Sequence, residues 1–281
     1  MNELSEQSIR KLPAARGLAW VSGSWELVRR QPLRLLLISL FFQFFLSFSQ
    51  ADILGLLVIL CLPVLSAGML HAFFLVGQGE RPMLAVLFMP FTARDSVSRL
   101  LLLGAVVLVL GLLLVTMILA GQVVDIDPQV ISRIEQGDLD ALQFIDPKVM
   151  ESAVVAMAIA AAVSATITYF SVPLIWFRKQ PTGKAIVLGL KGLGRNWKPL
   201  LVIGCLLGIL AVPIAILFAS FYLSVLSEGT ASTWLAFLLL LLGPMFQLLL
   251  FGTQYLAFRD IFGLDESIVG NSNRKTDQLV A

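Results

Sequence analysis

The long apolar runs of this chain hold no aspartate, glutamate, lysine or arginine in their interiors, and only 14% of all residues are charged. Proton- and sodium-coupled transporters ordinarily keep ionisable groups at membrane depth, so this absence weighs against that class. The net charge of +2 gives little support to a nucleic-acid footprint, which needs a clustered basic surface on a folded domain. There are two cysteines, Cys61 and Cys205, and both lie inside apolar runs, where they act as small hydrophobes rather than as a disulfide framework. The sole histidine, His71, has no Asp, Glu or Cys within a helical turn and is read as a hydrogen-bonded structural residue, the alternative being a proton relay. Phosphate-binding motifs are missing too. "PTGKA" has Arg178 where a phosphate loop needs its upstream glycine and Ala185 where magnesium needs Ser or Thr; "GLKGLG" sits on an amphipathic stretch instead of following a strand. With no catalytic arrangement in view, the expectation is a protein that is not an enzyme and needs no cofactor or metal.

What is present is hydrophobicity: 58% of the 281 residues are apolar. Six runs approach the roughly 20 residues that a helix needs to cross a bilayer. They are 33–49, 53–77, 100–121, 149–177, 200–226 and 233–258. No cleavable signal peptide is read, because about thirty polar and amphipathic residues precede the first run. Gln50-Ala51-Asp52 leaves room only for a tight turn between the first two spans, and Asp146-Pro147 fits an N-cap and first-turn proline for the fourth. Pro63, Pro173 and Pro244 each fall inside a returning span, where proline frees a carbonyl and bends the helix.

Charge sets an orientation. Placing the N-terminus in the cytoplasm leaves only Arg133 and Lys148, of twenty Lys and Arg, on the outer side, while the acids split nine and nine. The positive-inside rule counts the bases, so both termini are expected to be cytoplasmic. The outer side then carries one acidic loop, 122–148, with Asp125, Asp127, Glu135, Asp138, Asp140 and Asp146. Its spacing lacks the central glycine and closing glutamate of an EF-hand, and Asp127-Pro128 starts a short helix through Ile134. Residues 263–281 form a flexible cytoplasmic tail in this reading.

The inner segments repeat. "KLPAARGLAWVSGSWELVRRQPLRLLL" and "KQPTGKAIVLGLKGLGRNWKPLLVIG" each open on a proline (Pro13, Pro181) and close on another (Pro32, Pro199) ahead of a leucine-rich span. The first places Leu18, Val21, Trp25 and Val28 on one face, with Arg29 and Arg30 at its end. The second places Ile186, Leu190, Leu193 and Trp197 on one face and Lys184, Lys191, Arg195 and Lys198 on another. That pattern suits a helix lying in the membrane interface. "RPMLAVLFMPFTARDSVSRLLLLG" is a weaker third copy, with Pro82, Leu84, Leu87, Phe91 and Arg94. The predicted architecture is all-α: six transmembrane helices as three hairpins, each preceded by an amphipathic cytoplasmic interfacial helix. Trp25, Arg29, Arg30, Lys184, Lys191, Arg195, Trp197 and Lys198 are the candidate contacts to membrane lipids, or to a protein partner or a second copy. At the end of the last span, Tyr255, Arg259 and Asp260 form a membrane-exit motif, with Tyr255 and Phe258 as an aromatic belt, Ile261-Phe262 turning into the interface and Gly263 ending the helix.

The polar residues singled out within the runs are Gln43, Thr116, Ser164, Thr166, Thr168, Tyr169, Ser171, Gln247, Thr253, Gln254 and Tyr255. Ser164, Thr168 and Ser171 share a face, and together with Gly104, Gly111, Gly204 and Gly208 they are read as helix-packing positions, the alternative for the hydroxyls being a polar cavity lining.

"LKGLGRNWKPLLVIG", "QYLAFRDIFG" and "SWELVRRQPLRLLL" resemble an uncharacterised family of six-span proteobacterial inner-membrane proteins, with its Arg-Asn-Trp-x-Pro step and its Tyr-x-x-Phe-Arg-Asp-Ile-Phe close. The likeness also extends to a wider group of interfacial-helix-plus-hairpin domains, some of which accompany glycerophosphodiester phosphodiesterases; no such catalytic domain is present here. The resemblance implies a bacterial inner-membrane location and the six-span architecture, and it implies no catalytic residue. The expected function is a non-enzymatic accessory or organising role through lipid or partner contacts; the alternative is a transporter for a small or amphipathic solute.

Overall fold

A computed structural model describes residues 9–48, 52–120, 128–136, 144–228 and 233–264, and these are helical with no strand among them. Among the described residues ten α-helices follow one another: α1 (Ala15–Arg30), α2 (Pro32–Ser47), α3 (Asp52–Gly77), α4 (Met89–Thr92), α5 (Arg94–Leu119), α6 (Pro128–Glu135), α7 (Pro147–Arg178), α8 (Thr182–Arg195), α9 (Trp197–Glu228) and α10 (Thr233–Phe262). Five of them, α3, α5, α7, α9 and α10, are long and apolar enough to cross a membrane. The first predicted span becomes α2, and with 16 residues it reaches only about 24 Å against a bilayer core of roughly 30 Å.

Local chemistry accounts for the boundaries. Pro32 is the first residue of α2, where its missing N–H costs nothing, and Pro181 stands immediately before α8. Asp146 accepts the Lys148 N–H at 2.8 Å and Pro147 opens α7, as the sequence led us to expect. α6 covers most of the short helix foreseen in the acidic loop. Asp125, Asp127, Asp138 and Asp140 lie outside the described residues, as does the tail beyond Leu264. Pro63, Pro173 and Pro244 sit inside α3, α7 and α10, and Pro213, not singled out beforehand, sits inside α9.

The third interfacial segment is a correction. In place of an amphipathic helix, residues 82–93 fold as a 3-10 turn, Leu84–Leu87, and the single turn of α4. The cause is local and tertiary at once. Pro82 and Pro90 remove two donors from so short a stretch. The Leu87 backbone also lies directly against Gly68 of α3, so close that any Cβ there would collide with it.

The core lies toward one end of the bundle. Buried large side chains concentrate in Phe170–Phe177 of α7, the last three turns of α3 and the last four of α10, with Trp20, Leu27 and Val28 of α1 packed in. Rings of Phe177, Phe258, Phe262 and Phe170 form a chain with centroids 5.2–5.7 Å apart. The other halves of α5, α7, α9 and α10 expose large apolar residues such as Val154, Met157, Ile209, Phe218 and Trp234. Apolar exposure on that scale marks a membrane-facing surface rather than a water-facing one.

Candidate functional site

Most bases among the described residues gather at the buried end, where several long-range polar contacts also lie. The extended stretch 9–12 runs across this end as a strap. Arg10 N–H donates to the Ile261 carbonyl of α10 at 2.9 Å. Asn196, between α8 and α9 and only 1% exposed, holds the rest: its Oδ1 accepts the Leu12 N–H at 2.9 Å and its Nδ2 donates to the Arg10 carbonyl at 3.0 Å. A single side-chain amide thus mimics a strand neighbour for a backbone that would otherwise bury unpaired groups.

Asp260, with a side chain 12% exposed, is the second junction. Its Oδ2 accepts from the Arg16 guanidinium and from the Trp20 indole N–H, both at 2.8 Å. Arg259 is farther, 3.7 Å from Oδ1. The exit motif therefore differs from its sequence reading. Asp260 reaches across to α1 and anchors it. Tyr255 and Phe258 are buried in the core instead of forming a belt, and Ile261 and Phe262 are buried as well. Gly263 does end the helix, at φ 78°, and the Arg178 guanidinium donates to the Phe262 carbonyl beside it.

A third junction joins α5, α7 and α8. Lys179 takes a left-handed conformation, φ 52°, at the end of α7; its Nζ donates to Ser96 Oγ at 3.1 Å and lies 4.3 Å from the Trp176 ring centre. Burial, then the Arg99 guanidinium, hold this ammonium below the usual lysine range, with Asp95 opposing. Arg99 donates to the Lys179 carbonyl, and Thr182 Oγ1 donates to the Arg99 carbonyl at 2.9 Å. His71 is held in the manner expected of a structural residue, its Nδ1 accepting the Trp176 indole N–H at 3.3 Å.

The candidate contact residues fall on two helices and their ends. Leu18 and Trp25 of α1 point outward while Gly17, Trp20, Ser24, Leu27 and Val28 are buried, so the inward face is the one with small residues, and Val28 belongs to it rather than to the outer apolar face. Gly17 permits this: a Cβ there would collide with the Pro199 carbonyl of α9. α8 behaves alike. It buries Ala185, Leu188, Gly189 and Gly192, the last under the Phe262 ring, and exposes Leu190, Lys184, Lys191 and Arg195. Trp197 and Lys198 are exposed at the start of α9, and Arg29 and Arg30 at the end of α1, where Arg30 pairs with Glu26 at 3.2 Å. Of these, the structure brings Arg195, Trp197 and Lys198 together, and adds Lys11, around a cleft of about 340 Å³. Lys11 was missed because its proximity depends on the strap.

A larger cavity, about 660 Å³, lies in the apolar part of the bundle between α2, α3, α5 and α7. Pro63, Ser66, Gly111, Ser164 and Thr168 are on its walls. The hydroxyls of Ser164 and Thr168 donate to the carbonyls four residues earlier, at 2.7 and 2.8 Å, and those of Thr166 and Ser171 do the same. They are satisfied within α7, so the wall they form is effectively apolar. Gly104 packs as expected, against the Leu60 carbonyl, but Gly111, Gly204 and Gly208 face open space and are not packing positions within this chain. Polar contacts between the apolar helices come instead from Ser39, which donates to Gln247 Oε1 at 2.8 Å, and from Gln254, which donates to the Tyr169 carbonyl at 2.6 Å.

Together these features define a class: an all-helical, multi-pass, membrane-compatible bundle with a basic, internally latched end. No protein-family model matches the chain, and neither a curated protein nor a solved structure matches it.

Proposed function

We propose that the chain is a six-span protein of the bacterial inner membrane, a member of the uncharacterised proteobacterial family it resembles, with the basic end in the cytoplasm and α2 as a short first span. In this reading it is a non-enzymatic accessory or organising protein, and its basic end is the surface that meets anionic lipid or a partner. One observation carries this: α1 and α8 bury their small-residue faces and turn Trp25, Arg29, Arg30, Lys184 and Lys191 outward beside the start of the apolar spans. Anionic lipid attracts such bases by about 1 kcal/mol each near the surface. The test replaces Arg29, Arg30, Lys184 and Lys191 with Gln and compares thermal stability in nanodiscs with and without anionic lipid. Wild type is expected to gain stability from anionic lipid and the variant to lose most of that gain; an unchanged gain overturns the reading.

The cavity of about 660 Å³ supports a second reading, a carrier for an amphipathic solute. Proteoliposome uptake with a solute panel tests it, since Gly111→Phe, which fills open space at the cavity wall, is expected to abolish any transport without reducing stability.

A further inference from the structure

We infer that the cleft at the α8–α9 step is a site for the headgroup phosphate of one anionic phospholipid, whose acyl chain runs along α9. The inference rests on the lipid-contact reading but concerns a place that reading does not need.

Three cations converge from three separate segments: Lys11 from the strap, Arg195 from the end of α8 and Lys198 from the start of α9. Among the described residues no carboxylate lines the cleft. Gly194, where an added Cβ would meet nothing, keeps it open, and about 340 Å³ is room for on the order of ten waters, ample for a phosphodiester. Asn196 makes the arrangement conditional on the fold. It holds the strap, and with it Lys11, against the step between the helices.

Lipid is favoured over a soluble anion by what lies beside the cleft. Trp197, 57% exposed, stands on its rim with Lys198 Nζ 5.7 Å from its ring centre, the placement expected of an indole at headgroup depth. Leu201, Gly204 and Gly208 follow on the same face of α9; Leu201 is 59% exposed and neither glycine position meets a neighbour. A separate apolar groove of about 300 Å³ takes in Leu193 and Leu200, the chain neighbours of the cleft residues Gly194 and Pro199, and runs past Gly204. A phosphate in the cleft thus has an apolar channel next to it of the kind a soluble phosphate does not use.

The test titrates the full-length, delipidated protein in nonionic detergent with phosphatidylglycerol or phosphatidylcholine and counts bound lipid by native mass spectrometry. Wild type is expected to take one phosphatidylglycerol with a preference of roughly tenfold or more over phosphatidylcholine. The triple variant Lys11→Gln, Arg195→Gln, Lys198→Gln is expected to lose that preference, and Gly204→Leu to weaken both lipids by obstructing the groove. Lys11→Gln alone, on an exposed side chain that leaves helix packing untouched, is expected to lose part of it, which guards against misfolding of the triple variant. Equal binding of the two lipids, or a triple variant indistinguishable from wild type, overturns the proposal. So does displacement of the lipid by millimolar inorganic phosphate, which points to a soluble-anion site. If the variant lacking Arg29, Arg30, Lys184 and Lys191 loses the preference while the triple variant keeps it, the broader lipid-face reading survives and the cleft does not; if neither loses it, both fail.

Discussion

Asn196→Ala isolates the contribution of one side chain to the closed strap. The amide bridges positions 184 and 186 residues away in sequence, through one bond to the Leu12 N–H and one from Nδ2 to the Arg10 carbonyl. Each such bond contributes about 1 kcal/mol net, and stranding partly buried partners raises the total to roughly 2–3 kcal/mol. At 1.4 kcal/mol per factor of ten, the strap's opening equilibrium should rise roughly 30- to 150-fold. Trypsin reads this directly, because Arg10 and Lys11 lie within the strap and cleavage of a briefly opened segment follows the open population. The measurement is the rate of loss of the N-terminal peptide from the full-length protein in detergent, with helix content followed in parallel. Asn196→Asp keeps the acceptor for Leu12 and removes the donor to Arg10, so its rate should fall between the two. A rate for Asn196→Ala within about twofold of wild type, with helix content unchanged, would refute the latch, since that corresponds to less than roughly half a kcal/mol.

Asp260→Ala leaves the Trp20 indole, 2% exposed, without its acceptor and should cost about 2–3 kcal/mol, whereas Arg16→Ala, at a half-exposed side chain, should cost under about 1; unfolding in mixed detergent micelles compares them. Gly17→Ala places a Cβ against the Pro199 carbonyl, which only a helix shift relieves, and should cost about 1–3 kcal/mol by the same measurement. Lys179 titrates below its unfolded value of 10.5, so between its folded pKa and 10.5 the unfolded chain holds more protons and stability rises with pH. Melting of wild type against Lys179→Met from neutral pH upward should show wild type gaining on the variant; a constant difference contradicts the burial of that ammonium.

Several local features were open to sequence reading because their causes are local. Asp146-Pro147 announces a helix start, Gly263 a stop, and long runs without charge announce spans, since each depends on backbone geometry or transfer energy alone. Helix faces were harder. Trp25 was singled out and Trp20 passed over, because periodicity shows that α1 has two apolar sides and cannot say which one meets another helix; the small residues Gly17 and Ser24 decide it by letting α9 and α10 approach. The third interfacial helix was misread for a related reason. Its apolar spacing is present, but two prolines and the contact with Gly68 break it into turns.

The sequence by itself determined that the chain is helical and apolar enough to cross a membrane, and that its bases fall between the apolar runs and not inside them. Composition and order along the chain suffice for that, because a bilayer selects on apolarity summed over each run. Tertiary structure alone decided that Asp260 meets Arg16 and Trp20, that Asn196 clasps the strap, and that Lys11 joins Arg195 and Lys198 around one cleft. Those groups stand some 180 to 240 residues apart, and only the packing of α1 and the strap across α8, α9 and α10 brings them together.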